Sequence, residues 1–230
     1  MKEDKLQKII ANAGICSRRK AELLILQKRI KINGEIARIG NRGNINCDEI
    51  TLDGKKIYNN KKITVILINK PMGYISSCYD KQGRPTLISL IPNNIRLGLY
   101  PIGRLDLNSR GAILVTNHGE LALKLTHPRY SHPKTYHVLV KGYPLDESLQ
   151  DWREGLILDN KKTKGVKINI LESKKTQTLL EVIMTEGRKR QIRRIANIIG
   201  NDVIDLKREA IGSIRLNNLE EKNWSILKNN

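Results

Sequence analysis

Apolar residues near the start of the chain recur at two different periods. Leu6, Ile9, Ile10 and Ala13 fall at the i, i+3, i+4, i+7 spacing of an amphipathic helix, which Gly14 closes. Ser17 then stands as an N-cap for a second helix, Arg18 to Gln27, in which Ala21, Leu24 and Ile25 share one face. The period next falls to two. Ile30 and Ile32 alternate with charged residues, and Asn33-Gly34 is a strong hairpin signal before Glu35, Ile36 and Ala37. A further strand, Glu49 to Leu52, turns at Asp53-Gly54.

The stretch from Tyr58 to Lys62 is polar and has no period, so it reads as a linker between a first domain, 1–60, and a second, 61–230. The second domain opens on an apolar strand, 63–69, followed by a loop with Lys70-Pro71 and Gly73 and a short helix from Leu87 to Leu90. Strands are expected again at Ala112 to Val115, 135–142, Val166 to Leu171 and Thr178 to Met184. Helices are expected over Glu120 to Leu125, Leu145 to Glu154 and from about Arg190, with strand-forming segments towards Trp224. Asn117 or Gly119 is placed to cap the first of these helices. Strands and helices mix without strict alternation, which implies an α+β domain on a largely antiparallel or mixed sheet.

Charge adds a partner to this picture. Of the 230 residues 42 are basic and 23 acidic, a net charge of +19, which favours a polyanion such as nucleic acid or an anionic surface. An AT-rich genome, which also yields many Lys, Asn and Ile residues and no Phe, is the plain alternative. Cys16, Cys47 and Cys78 are too scattered for a disulfide framework or a metal site and read as free thiols in a reducing compartment. No stretch reads as a secretory leader or a membrane span, so a cytoplasmic protein with no membrane partner is expected.

Three clusters could carry chemistry. Gly103-Arg104-Leu105-Asp106 leads into the strand Ala112 to Val115, and by spacing alone Asp106 fits a loop-capping carboxylate as readily as a nucleophile. Lys134-Thr135-Tyr136 begins a strand, where Tyr136 is either a core tyrosine or a ring facing a cavity. Arg188, Lys189, Arg190, Arg193 and Arg194 crowd the start of a helix anchored by Ile192, Ile195, Ala196 and Ile199. Arg18, Arg19 and Lys20 likewise crowd a helix N-terminus, against the macrodipole, so an outside anion would reward them. A merely solvated basic face is the bland alternative for both groups.

The segments 6–22 and 29–36 resemble the small RNA-binding domain first described in ribosomal small-subunit protein four, and that resemblance implies an RNA surface of Arg18, Arg19, Lys20, Lys28 and Arg29. The segment 103–122, GRLDLNSRGAILVTNHGELA, resembles the signature of the RsuA-like pseudouridine synthases. His118 stands where that family usually has an acidic residue, and Arg110 and Ala112 where small polar and Leu residues are commoner. The resemblance implies Asp106 as the catalytic nucleophile and Arg104 as the residue that fills the space of an extruded base. It further implies Tyr136 against the target ring, with possible proton transfer, and Arg193 in an ion pair with Asp106. Arg188 and Arg190 join the implied RNA-binding set. The stretches 5–14, with 17–19, and 186–194 most resemble the RluB branch, which modifies large-subunit ribosomal RNA; the RsuA branch, acting on the small subunit, is the alternative.

The implied reaction isomerises uridine without net redox change, so no cofactor and no metal are expected. The implied partner is ribosomal RNA or a ribosome assembly intermediate, met by a monomer. A non-catalytic ribosome-associated protein, an RNA-modifying enzyme of another type and a DNA-binding protein are the rivals. The presence of Asp106, Tyr136 and Arg193 weighs against the first, and the lack of a nucleotide-cofactor loop against the second.

Overall fold

The computed structural model describes residues 3–58 and 62–227. In the first part, helices α1 (Leu6–Asn12) and α2 (Arg18–Leu26) pack on a small antiparallel sheet of β1 (Ile30–Ile32), β2 (Glu35–Ile36), β3 (Ile50–Leu52) and β4 (Lys55–Lys56). The Ser17 hydroxyl accepts from the Lys20 amide, as an N-cap requires. Asn33-Gly34 and Asp53-Gly54 both place two residues at positive φ, +50° with +85° and +49° with +77°, the backbone of a type I′ hairpin turn. Leu6, Ile10, Ala21, Ile25, Ile30 and Ile50 close a separate apolar core. The proposed linker and the 60/61 boundary fall largely on 59–61, outside the described residues.

Among the described residues the remainder is organised on a nine-stranded mixed sheet. Its main elements are β5 (Val65–Lys70), β6 (Tyr100–Ile102), β7 (Arg110–Thr116), α3 (Gly119–Thr126), β8 (Lys134–Lys141), α4 (Asp146–Glu154), β9 (Lys167–Lys174), β10 (Gln177–Met184), α5 (Gln191–Ile198), β11 (Val203–Ile211) and β12 (Trp224–Ile226). The strand order is β9-β10-β8-β11-β7-β5-β12, with β6 pairing β7. Every pairing along it is antiparallel except β11 on β7.

Both faces of the central strands are covered. Ile66, Ile68, Ile113 and Val115 join a large core with Trp152 of α4 and Ile192 and Ile195 of α5, while Val65, Leu67, Ala112 and Leu114 meet the apolar side of α3. That is why 65–68 reads as an unbroken apolar run rather than an alternating one. The cap of α3 differs from expectation. His118 Nδ1 accepts from the Leu121 amide, while Asn117 is drawn away to bond Thr64 N and Lys62 O. Those bonds tie the end of β7 to the approach to β5, a use of Asn117 that competes with capping.

Candidate active site

The loop between β6 and β7 is held from three directions. Ser76, itself buried, accepts from Leu105 N at 3.0 Å and donates to Leu105 O at 2.9 Å. Lys70 ends β5 with no exposed surface, and its ammonium lies 3.1 Å from Asp106 O, 2.6 Å from Ser109 O and 3.0 Å from Pro71 O. Arg193, on the first turn of α5, donates from Nη2 to Asn108 O at 2.7 Å. The backbone from 105 to 109 is thereby fixed by side chains from segments far away in sequence. The Asp106 side chain is half-buried, and among the described residues it receives no hydrogen bond or ion pair. A carboxylate on a rigid loop with no internal partner is free to act on a bound molecule.

The expected ion pair between Arg193 and Asp106 is therefore not formed as a contact. Arg193 spends Nη2 on Asn108 O and directs Nη1 to Val203 O at 3.4 Å, and its buried Nε has no partner among the described residues. Asp106 still acts on it through space. Burial and the Arg190 charge hold the Arg193 guanidinium below its ordinary value, and Asp106 pulls in the opposite direction. The guanidinium is thus a fixed positive charge beside the loop, attached to its backbone.

Burial pushes the Lys70 ammonium down to about 8, against the pull of Asp106. Because this lies below the value of an unfolded lysine, 10.5, the group makes the fold more stable as pH rises between the two. Over the same interval the loop loses one proton donor. Lys70→Met should cut single-turnover rates roughly ten- to a hundredfold through misplacement of the loop. Wild type is expected to lose rate as pH passes about 8, and the variant should lack that decline. A pH series on both proteins tests this, and an unchanged limb in the variant would remove Lys70 from the argument.

Beside this loop lies a pocket of about 390 Å³, lined by Gly103, Arg104, Lys134, Tyr136 and Arg208. Tyr136 answers to both of its readings. It is 8% exposed and part of the large core, yet its ring borders the pocket, with the Arg208 guanidinium 6.0 Å from its centroid. Arg104 is exposed at the rim.

The basic cluster divides. Arg188 donates to Leu158 O, Lys161 O and Lys162 O at 2.9, 2.9 and 2.6 Å, so these donors serve a protein hairpin. Arg194 is engaged by Asp159 at 2.7 and 2.9 Å. Arg190 is exposed, with a left-handed φ of +53°. In the first part of the chain Arg19 and Lys20 are exposed, whereas Arg29 is locked to Asp53 by two hydrogen bonds. Arg18 is exposed too, and its guanidinium lies beside Gly119 and the Tyr100 hydroxyl.

Sequence reasoning passed over Lys70, Ser76 and Arg208. The signal for Lys70 was present, a lysine closing a strand that opens on the apolar run Val65 to Ile68. Among the described residues no cluster of His, Cys, Asp or Glu could hold a metal ion, and no helix is long and apolar enough to cross a membrane.

Residues 64–197 match the RNA pseudouridylate synthase family model, and residues 4–42 match the S4 domain. The chain belongs to the RNA pseudouridylate synthase family. It is 39% identical over 226 residues to an uncharacterized RNA pseudouridine synthase of Aquifex aeolicus, covering 97% of this chain and 90% of that one. It is also 39% identical over 218 residues to the ribosomal large subunit pseudouridine synthase B of Bacillus subtilis, covering 94% and 88%. A crystal structure of a pseudouridylate synthase superposes with a TM-score of 0.70 at 28% identity, over 97% of this chain and 96% of that one. The α+β architecture, an S4 domain followed by the catalytic domain, is thus that of an RNA pseudouridine synthase, and the protein is an enzyme of this kind.

Proposed function

We propose that this pseudouridine synthase isomerises a uridine of large-subunit ribosomal RNA, with Asp106 as the carboxylate that enables the base to leave and return. The observation that carries the assignment of Asp106 is its uncommitted side chain on a loop clamped by Lys70, Ser76 and Arg193. The 39% identity to a protein named for the large subunit supports the target.

The reaction breaks the bond from N1 of uracil to C1′ of the ribose and forms one from C5 to C1′. The proton leaving C5 balances the one gained at N1. Attack of the carboxylate on the sugar, attack on the uracil ring and passage through a sugar-derived glycal all require an ionised Asp106 beside the detached base. Arg193 keeps a positive charge close to it, and the Tyr136 ring supports the base and is placed for proton transfer. Arg104, exposed at the rim, fills the space the extruded uridine leaves; unstacking costs on the order of a few kcal/mol.

The amino-terminal module, 1–60, supplies sequence-tolerant affinity through Arg18, Arg19 and Lys20, and the catalytic domain, 61–230, adds Arg190. The enzyme works as a monomer in the cytoplasm, where its ribosomal substrate is assembled. Incubation with unmodified large- and small-subunit RNA, followed by pseudouridine mapping, tests the target. One new pseudouridine in the large-subunit RNA is expected; modification confined to the small-subunit RNA would reassign it. In the same samples each phosphate contact should add roughly 0.7 to 0.9 to the slope of log affinity against log salt. Arg19→Gln should flatten the slope, and Arg188→Gln should leave it unchanged.

A further inference from the structure

Strand register gathers Lys134, Tyr136 and Arg208 on one face of the sheet. Lys134 and Tyr136 are two apart on β8, in unbroken register with β10, and Tyr136 lies opposite Arg208 of β11. All three border the pocket next to the Asp106 loop. Arg208 is 5% exposed; its Nε donates to Ala112 O at 2.7 Å, and its buried Nη2 has no partner among the described residues. Lys134 reaches His132 O at 2.8 Å. Burial, and then the Arg208 charge, lower the Lys134 ammonium from its ordinary value.

No carboxylate of the described residues pairs with these two cations. Among the described residues neither Lys134 nor Arg208 forms an ion pair. Glu186, across the pocket, is engaged by Lys164 N, Gln191 Nε2 and Arg188. Glu209, adjacent to Arg208 in the chain, bonds His137 and Lys207 instead. A buried guanidinium with an unused donor, beside a half-buried ammonium, is costly unless an anion completes the pair.

We propose that Lys134 and Arg208 form a phosphodiester subsite, which holds a backbone phosphate of the RNA strand adjacent to the reacting uridine. A phosphodiester offers oxygens that both a guanidinium and an ammonium can bind, and the pocket opens beside the rim where Arg104 stands. The subsite fixes where the strand enters the cleft, so the reacting nucleotide meets Asp106 in one register. It rests on the reading of this pocket as part of the RNA cleft.

The test uses the full-length protein and a large-subunit RNA fragment spanning the mapped uridine. Phosphates near that uridine are replaced one at a time by neutral methylphosphonates. One position should weaken wild-type binding roughly tenfold or more. Lys134→Gln should bind natural RNA more weakly by a similar factor, show a salt slope lower by about 0.7 to 0.9, and lose nothing further at that position. Arg208→Gln should behave alike where it folds; Lys134→Gln keeps the test open if it does not.

Equal further loss in Lys134→Gln and wild type at every position would overturn the subsite. Wild-type binding indifferent to the position replaced would point to a free phosphate ion in the pocket and overturn it too. So would an unchanged salt slope with a reduced rate at saturating RNA, which would assign Lys134 to the base. Turnover of natural RNA by wild type separates the two proposals: its absence defeats the proposed function, whereas its presence with an unaltered Lys134→Gln defeats only the subsite.

Discussion

Asp106→Asn should lower pseudouridine formation by roughly 10³-fold or more, with little change in folding or RNA affinity. The structural contacts of residue 106 are made by its backbone: its carbonyl oxygen accepts from Lys70 Nζ and from Ser109 N. Asparagine keeps that carbonyl and nearly the same shape, so the clamp on the loop survives. What disappears is the negative charge and the nucleophilic oxygen pair. A thousandfold loss corresponds to about 4 kcal/mol of transition-state stabilisation, well beyond what one exposed side-chain contact contributes to binding. Single-turnover assays, melting curves and RNA titrations on one preparation separate the possibilities. Near-normal turnover would strip Asp106 of its role, and an unfolded variant would make it a structural residue.

The largest loss of stability is expected from a position that touches no substrate. Gly111 lies in the parallel pairing of β7 with β11, opposite Arg208, at a φ of +107°. A β-carbon there would lie 2.3 Å from Arg208 O and 2.5 Å from Arg208 N, distances at which backbone must move. Gly111→Ala combines backbone strain of about 1 to 3 kcal/mol with overpacking of about 1 to 3 kcal/mol, so a loss of roughly 4 kcal/mol is anticipated. That is a large fraction of an ordinary domain's stability. Denaturant titration measures it; a loss below about 1 kcal/mol would mean that the two strands separate freely, contrary to their buried setting. Surviving folded protein should also turn over slowly, since Arg208 and the end of the Asp106 loop shift with the strand pair.

Local patterns in the chain were enough for the elements that depend on near neighbours. Helical spacing at Leu6, Ile9 and Ile10, the Ser17 cap and the two positive-φ turns at Asn33-Gly34 and Asp53-Gly54 each involve groups a few residues apart. The motif around Asp106 located the loop, and the order of strands and helices indicated a mixed sheet. The sequence could not assign the long charged side chains to their partners. Arg188 and Arg194 belong to a basic run whose partners lie at 158–162, and the Arg193 donors go to the carbonyl of Asn108 rather than to the carboxylate of Asp106. Lys70 looked like a loop residue, although four carbonyl oxygens, of Pro71, Asp106, Leu107 and Ser109, surround its ammonium. The reason is chemical. Every residue carries the same backbone carbonyl, so such an acceptor leaves no mark in the sequence, and only the tertiary structure decides which cations are held by it and which, like Arg208, keep a donor to spare.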